Sequence, residues 1–400
     1  MNNDLPGFLM TSESGSFAQN TILYRKPQIL DKVIADNDYP PLIVERLLGF
    51  KEEIAGGTVQ PLTEEATDVE EWNNECFRFK GKMWLEIPWY FAEAYFYRRL
   101  IEIVCYFQPG LLKGQDPFST PKKEQLAESI TPLSLVVDAL NGIKDSQVRF
   151  ENLLHASLWG NRVDLSNLTV TDEVRHRQGM IERENLLIDD FPLVFQVFEK
   201  QHPLKVAFIC DNVGIELGFD LCLADFLLRN KWASKIIFYL KPYPFFVSDV
   251  MPKDFQETIE AFTKASAKGL NHLGRHLKDA LFKGTISMSD NWFWISPYHF
   301  CEMPKSLYDE ISHLDLVILK GDVNYRRLLS DRHWPYTTQI TKIVHNFPTS
   351  ILILRTLKGE IMVGLKEGYA EKIRSEDPDW LINGKRGIIQ YIKRKFANSL

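Results

Sequence analysis

The sequence predicts an α/β protein: a Rossmann-like three-layer αβα domain with a mostly parallel sheet, preceded by an α-helical N-terminal portion. Three observations carry this. The first half shows apolar residues at helical spacing, the second half shows short continuous apolar runs alternating with helical segments, and polar clusters follow those runs. The boundary is expected near residue 165, giving a helical region 1–165 and an αβα domain 166–400. A chain of 400 residues is long enough for one large domain or two.

In the first half, "KPQILDKVIADN" (26–37) and "PPLIVERLLGFKEEIAGG" (40–57) place apolar residues three and four apart and end at Asn or Gly. "WLEIPWYFAEAYFYRRLIEIVCYF" (84–107) reads as a long, buried, aromatic helix. "QPGLLKGQDPFSTPKKEQL" (108–126) collects Pro, Gly, Ser and Lys and reads as an exposed loop. "TPLSLVVDALNGI" (131–143) and "QVRFENLLHASLWGN" (147–161) return to helical spacing. In the second half, strands are expected at 204–210, 234–240, 284–290, 314–320 and 350–356.

Apolar residues make up 45% and charged residues 25% of the chain, an ordinary globular mix, and the formal net charge is −6. That balance carries no nucleic-acid footprint. Five cysteines (76, 105, 210, 222 and 301), with no CxxC pair, point to a reducing compartment rather than a disulfide framework or zinc knuckle. The N-terminus has no secretory pattern and no apolar run suits a membrane span, so the cytoplasm is the expected location.

Ligands of open α/β sheets bind beyond the carboxyl ends of the strands. The 204–210 run ends in Asp211-Asn212, followed by Gly214 and Glu216. The 234–240 run leads to Lys241, Ser248 and Asp249. The 314–320 run leads to Lys320, Asp322, Asn324 and Arg327, and the last ends in Arg355 and Lys358. If the strands are parallel, all of these line one rim. Asp211, Asn212 and Asp249 supply hard oxygen ligands suited to Mg2+ or Mn2+. Lys320, Arg355 and Lys358 supply charge for an anionic substrate such as a phosphate. Together they equip a site for phosphoester hydrolysis. Simpler roles stand beside this reading. Asp211-Asn212 and Asp249 could cap the helices that follow, "NYRRLL" could be a solvated helix start, and "RTLKGE" could be a surface turn. His272 and His276, four apart without an intervening HExxH glutamate, read as a solvated face. The loop "DNVGIELG" is not GxGxxG, and GxSxG is absent, so dinucleotide and Ser-His-Asp chemistries find no support.

"CDNVGIELGFDL", "KPYPFFVSDV", "LKGDVNYRRL" and "LRTLKGE", in this order, resemble the damage-control phosphatases. The branch they resemble carries an RTxK motif and includes the acidic residue methyltransferase-like proteins. "SFAQNTILYRKPQIL", "WYFAEAYFYRRL" and "LWGNRVDLS" extend the resemblance over nearly the whole chain. The resemblance implies one divalent metal on Asp211, Asn212 and Asp249, with Glu216 orienting a ligand or water. It implies substrate contacts from Asn161, Asp164, Lys320, Asp322, Asn324, Arg355 and Lys358. The implied activity is dephosphorylation of small sugar phosphates such as fructose 1-phosphate or fructose 6-phosphate, with Mn2+, Co2+ or Ni2+ favoured over Mg2+. The expected partner is a small phosphorylated sugar, with no nucleic acid and no membrane. The alternatives are an S-adenosylmethionine-dependent protein carboxyl methyltransferase and a non-catalytic sugar-phosphate or metal sensor.

Overall fold

The computed structural model describes residues 5–160 and 183–394. Its sheet contains β1 (Leu186–Asp189), β2 (Leu204–Ile209), β3 (Ala233–Tyr239), β4 (Ile286–Ser289), β5 (Leu316–Lys320), β6 (Ser350–Thr356) and β7 (Gly387–Ile392). The order is β1-β7-β6-β5-β2-β3-β4. The five strands expected from sequence form the contiguous parallel block β6-β5-β2-β3-β4, while β7 pairs antiparallel with β6 and parallel with β1. The α/β class with a mostly parallel sheet therefore holds, and two strands at one edge are added to it.

The apolar runs form central strands because both of their faces are buried. Val206 and Phe208 point into one core and Ala207 and Ile209 into another, and β5 splits likewise, with Leu316 and Ile318 opposite Val317 and Leu319. The first face is covered by helices that include Ile215–Arg229, Pro252–Lys264 and Lys268–Phe282. Helices Ser119–Asn141 and Ser146–Trp159 share that same core, although they precede residue 165. Helices Lys305–Ser312, Asp322–Leu328 and Tyr369–Glu376 cover the second face.

A third core belongs to the N-terminal helices, among them Lys26–Asp36, Pro41–Gly56, Val69–Phe77 and Trp89–Ile103. The helix expected over 84–107 is thus shorter by several residues at each end. The expected loop 108–126 overlaps the long helix Ser119–Asn141, which starts at Ser119 despite Pro121 and carries Pro132 in its interior. Tyr243, Phe245 and Ile295 come from the sheet domain and enter this third core. Burying an aromatic such as Phe245 contributes about 1.5–3 kcal/mol, so the segment after β3 is anchored on the helical portion.

The parallel block changes winding direction at β2. From β2 the chain proceeds outward to β3 and β4, then returns to the other side of β2 for β5 and β6. The carboxyl ends of β2 and β5 therefore flank a topological switch point, where open α/β sheets leave a crevice.

Candidate metal and phosphate site

Asp211 and Asn212 follow β2 directly, and Asn212 forms an antiparallel bridge with Asp249. The two segments are zipped by Val213 N–H donating to the Ser248 carbonyl (2.8 Å) and Val250 N–H donating to the Asp211 carbonyl (3.0 Å). Asn212 and Asp249, 37 positions apart in the chain, thus meet at the switch point. Neither segment is a helix cap. The helix Ile215–Arg229 has Gly214 at its N-cap with no side-chain cap, and the Pro252–Lys264 start is closed by Asp254, which accepts from Met251 N–H (2.9 Å). The capping alternative for Asp211-Asn212 and Asp249 is therefore excluded.

The Asn212 amide is fixed on three sides. Its Nδ2 donates to Asp211 Oδ2 (2.7 Å) and Glu216 Oε2 (3.1 Å), and its Oδ1 accepts from Ser248 Oγ (2.6 Å). Burial, then the carboxylates of Glu216 and Asp249, push the Asp211 carboxyl well above its usual range. Burial also raises Asp249 to about 6, against the pull of Lys241 and Lys122. Crowded acids with raised proton affinity mark a place where positive charge is in short supply.

Nearby lysines do not remove that shortage. Lys320 is buried and pairs with Asp220 (3.0 Å) and Glu216 (3.5 Å), while its ammonium also donates to the Ser157 carbonyl and to Ser157 Oγ (2.9 Å). Lys241 is buried, 3.5 Å from Asp249, and donates to the Trp294 carbonyl (3.2 Å). Burial lowers its proton affinity despite Asp249.

Gly321, at φ +86°, closes the opposite wall. A Cβ there would lie 2.2 Å from the Asp211 carboxylate. The carboxylate therefore occupies the space a side chain would need, and the left-handed backbone independently favours glycine. Gly321→Ala is expected to fold but to displace Asp211. Metal affinity should fall at least about tenfold, a shift of about 1.4 kcal/mol, and calorimetric metal titration alongside circular dichroism checks both.

Among the described residues no three His, Cys, Asp or Glu side chains form a metal-ligand group. The set here has two carboxylates and one amide, which suits a hard divalent cation completed by water. The crowded carboxylates, with Asp211 seated against the bare backbone of Gly321, fit such an ion. So does Asn324 Oδ1, which is buried without a hydrogen-bond partner while Nδ2 holds the Cys210 (3.2 Å) and Lys320 (2.8 Å) carbonyls. Because a ligating carboxylate must lose its proton, apparent metal affinity should fall as pH drops through about 6, the Asp249 value. Titrations of Mn2+ across mildly acidic and neutral buffers measure this, and a pH-independent constant would contradict it.

The remaining expected substrate residues divide. Asp322 Oδ1 accepts from Arg355 Nε (2.8 Å), Arg355 NH2 (2.7 Å) and Lys358 N–H (3.0 Å). Arg355 is buried, donates to the carbonyls of Ile361 (2.7 Å) and Gly359 (3.2 Å), and lies 4.1 Å from the Tyr325 ring centroid. Its donors shape the turn that presents Lys358, so "RTLKGE" is not a plain surface turn. Lys358 itself is exposed, and its charge offsets part of the rise at Asp211. Arg326 and Arg327 are buried rather than solvated. Asn161 and Asp164 lie outside the described residues. The helix Ser146–Trp159 does deliver Gly160 to the site, where a Cβ would stand 3.5 Å from Glu216 Cβ.

Sequence reasoning did not single out Asp220, Ser157 or Gly321. Asp220 had a usable signal, as a carboxylate inside the otherwise apolar run "LGFDLCLA". Ser157 had none.

Comparison with known proteins bears on this arrangement. Residues 18–373 match the damage-control phosphatase ARMT1-like domain family. The chain belongs to the damage-control phosphatase ARMT1-like family. Its relatives include proteins named damage-control phosphatase ARMT1 from Danio rerio (33% identical, covering 96% of this chain and 97% of the relative) and Homo sapiens (31%, covering 97% and 98%). The Xenopus laevis protein of the same name is 33% identical over 97% of this chain and 99% of its own. A solved DUF89 family protein from Pyrococcus horikoshii aligns with 94% of this chain and 98% of its own at 14% identity and a TM-score of 0.49. The ARMT1-like match spans most of the helical portion and strands β1 to β6, and it includes Asp211, Asn212, Asp249 and the Arg355–Lys358 turn. Among the described residues no helix is long and apolar enough to cross a membrane.

Proposed function

We propose that this chain is a divalent-metal-dependent phosphatase of small sugar phosphates, in the RTxK branch of its family. One observation supports this most directly: Asp211, Asn212 and Asp249 converge at the switch point with an exposed lysine, Lys358, close enough to act on Asp211. The relatives' shared name, damage-control phosphatase, points the same way. Asp211, Asn212 and Asp249 would hold the metal. When bound, a divalent ion supplies Lewis-acid polarisation of a phosphoryl oxygen. Glu216, steadied by Lys320, keeps the Asn212 amide oriented. Lys358 offsets charge on the phosphate, and Arg355 with Asp322 holds the turn that carries it. Asn324 ties together the ends of β2 and β5.

The test is phosphate release from fructose 1-phosphate, fructose 6-phosphate and other small phosphomonoesters, after chelation and then with Mn2+, Co2+, Ni2+ or Mg2+ restored. Release that depends on one of these metals is expected; none with any pairing would overturn the reading. Lys358→Ala should raise KM about tenfold, the loss expected for one hydrogen bond to a charged group, with a smaller change in kcat.

A further inference from the structure

A cavity lies beside the C-terminal half of the helix Ile215–Arg229, away from Glu216. Four helices, Ser119–Asn141, Ser146–Trp159, Ile215–Arg229 and Lys268–Phe282, enclose a cavity of about 220 Å³. Its walls carry Arg149, Arg229, His272 and Asp225, with Leu153 and Leu273 supplying an apolar side. Asp225 is already claimed, by Arg229 Nε (3.5 Å) and by His276 Nδ1 (3.6 Å). His276 Nε2 also meets an Arg229 guanidinium nitrogen at 3.1 Å. His276 is therefore engaged, and its neighbour one turn back, His272, is left to face the cavity.

Arg149 is the unbalanced group. One terminal nitrogen donates to Asn141 Oδ1 (3.0 Å), and its guanidinium carbon is 5.6 Å from the Phe226 ring centroid. Its Nε is buried with no hydrogen-bond partner. Burial, and then the like charge of Arg229, weaken its hold on a proton. A half-buried guanidinium with an unused donor, facing a second guanidinium across a cavity of small-molecule size, is left short of an acceptor.

We propose that this cavity binds a compact tetrahedral oxyanion, phosphate either free or as a small ester, on Arg149, Arg229 and His272. The site is separate from the one proposed for catalysis and does not depend on that reading. The same helix carries Glu216 and Asp220 in its first half and Asp225 and Arg229 in its second, so an anion bound here would bear on the rim through a single rigid element.

The full chain in Mg2+ can be titrated with inorganic phosphate while the His272 imidazole resonance, assigned with His272→Gln, is followed by NMR. A saturable shift is expected. Arg149→Gln should weaken it at least about tenfold, the value of one charged hydrogen bond, with phosphoester turnover in anion-poor buffer unchanged. Arg229→Gln, at an exposed position, provides the same reading if Arg149→Gln fails to fold. A parallel titration with glycerol 1-phosphate separates the sources: tighter binding assigns the apolar wall to the ester's carbons, and equal or weaker binding assigns the site to free phosphate. No saturable shift with either probe, or an unchanged constant in both variants, would overturn the proposal.

Discussion

Asp211→Asn should abolish metal-dependent phosphate release while making the metal-free protein more stable. The loss follows from removing one carboxylate of the proposed ligand set. An effect of about 4 kcal/mol on the barrier is a fall of about a thousandfold. The gain follows from the raised proton affinity of Asp211, caused by burial and by its neighbours Glu216 and Asp249. For a carboxyl raised in the folded state the sign is clear. The folded protein binds the proton more tightly than the unfolded chain, so stability declines as pH rises above the unfolded value of about 3.9, and the penalty is complete above the folded value. At neutral pH the isosteric amide removes that penalty. Phosphate-release kinetics and urea unfolding in EDTA measure the two halves. Near-normal turnover, or a large loss of metal-free stability, would each contradict the assignment of Asp211 as a functional rather than structural acid.

Arg326→Met should be the most destabilising single substitution proposed, at about 3–5 kcal/mol, the cost of breaking a buried ion pair by removing one partner. Arg326 is buried, pairs with Asp331 (2.8 Å) and Glu93 (2.6 Å), and lies 3.2 Å from the Trp89 ring centroid. Glu93 in turn pairs with Lys26 (3.0 Å), and Asp331 accepts the Tyr90 N–H (2.9 Å). Burial alone would raise the Glu93 carboxyl, yet Lys26 and Arg326 hold it at about 2. Methionine keeps the length of the side chain and strands two carboxylates. The chain Lys26–Glu93–Arg326–Asp331 also joins the N-terminal helices to the helix that follows β5, so the two parts should unfold together. A denaturation midpoint close to that of the parent protein would show that this network does not hold the parts together. Arg326→Lys should recover only part of the loss, since an ammonium cannot reproduce the planar two-nitrogen contact with Asp331.

β2, β5 and β6 were legible in the sequence because central strands are buried on both faces and so read as near-continuous apolar runs. β1 and β7 were not legible for a different reason. Leu186–Asp189 is only four residues long, and Gly387–Ile392 is defined by pairing with β6 and β1 across long stretches of chain. The helix Ser119–Asn141 was obscured by Pro121, tolerated in its first turn, and by Pro132, offset by packing of Leu133 and Val136 in the first core. At the site, position along the fold was legible and direction was not. Lys320 and Arg355 stand at strand ends as Asp211 does, but Asp220 and Asp322, distant in sequence, draw them inward. Nothing local distinguishes a cation aimed at substrate from one that neutralises a buried acid. Lys358 escapes because its backbone N–H, rather than its ammonium, is what Asp322 takes.

The backbone just before Ser248-Asp249 is under tension. Phe246 and Val247 sit at φ +42° and +66°, a conformation costing of order 1–3 kcal/mol for such residues. What holds them belongs to the helical portion: Phe246 lies 4.7 Å from Tyr97 and beside the Lys26 ammonium, and Tyr243 donates to Asp68. The segment therefore behaves as a cocked latch whose catch is in the helical portion. A compound that prised Phe245 and Phe246 out of their seat would disarm Asp249 without approaching the rim. Phe245→Ala should accordingly weaken metal binding by loosening the backbone whose carbonyl accepts the Asp249 N–H (3.3 Å), and intact affinity in that variant would mean that Asp249 needs no such catch.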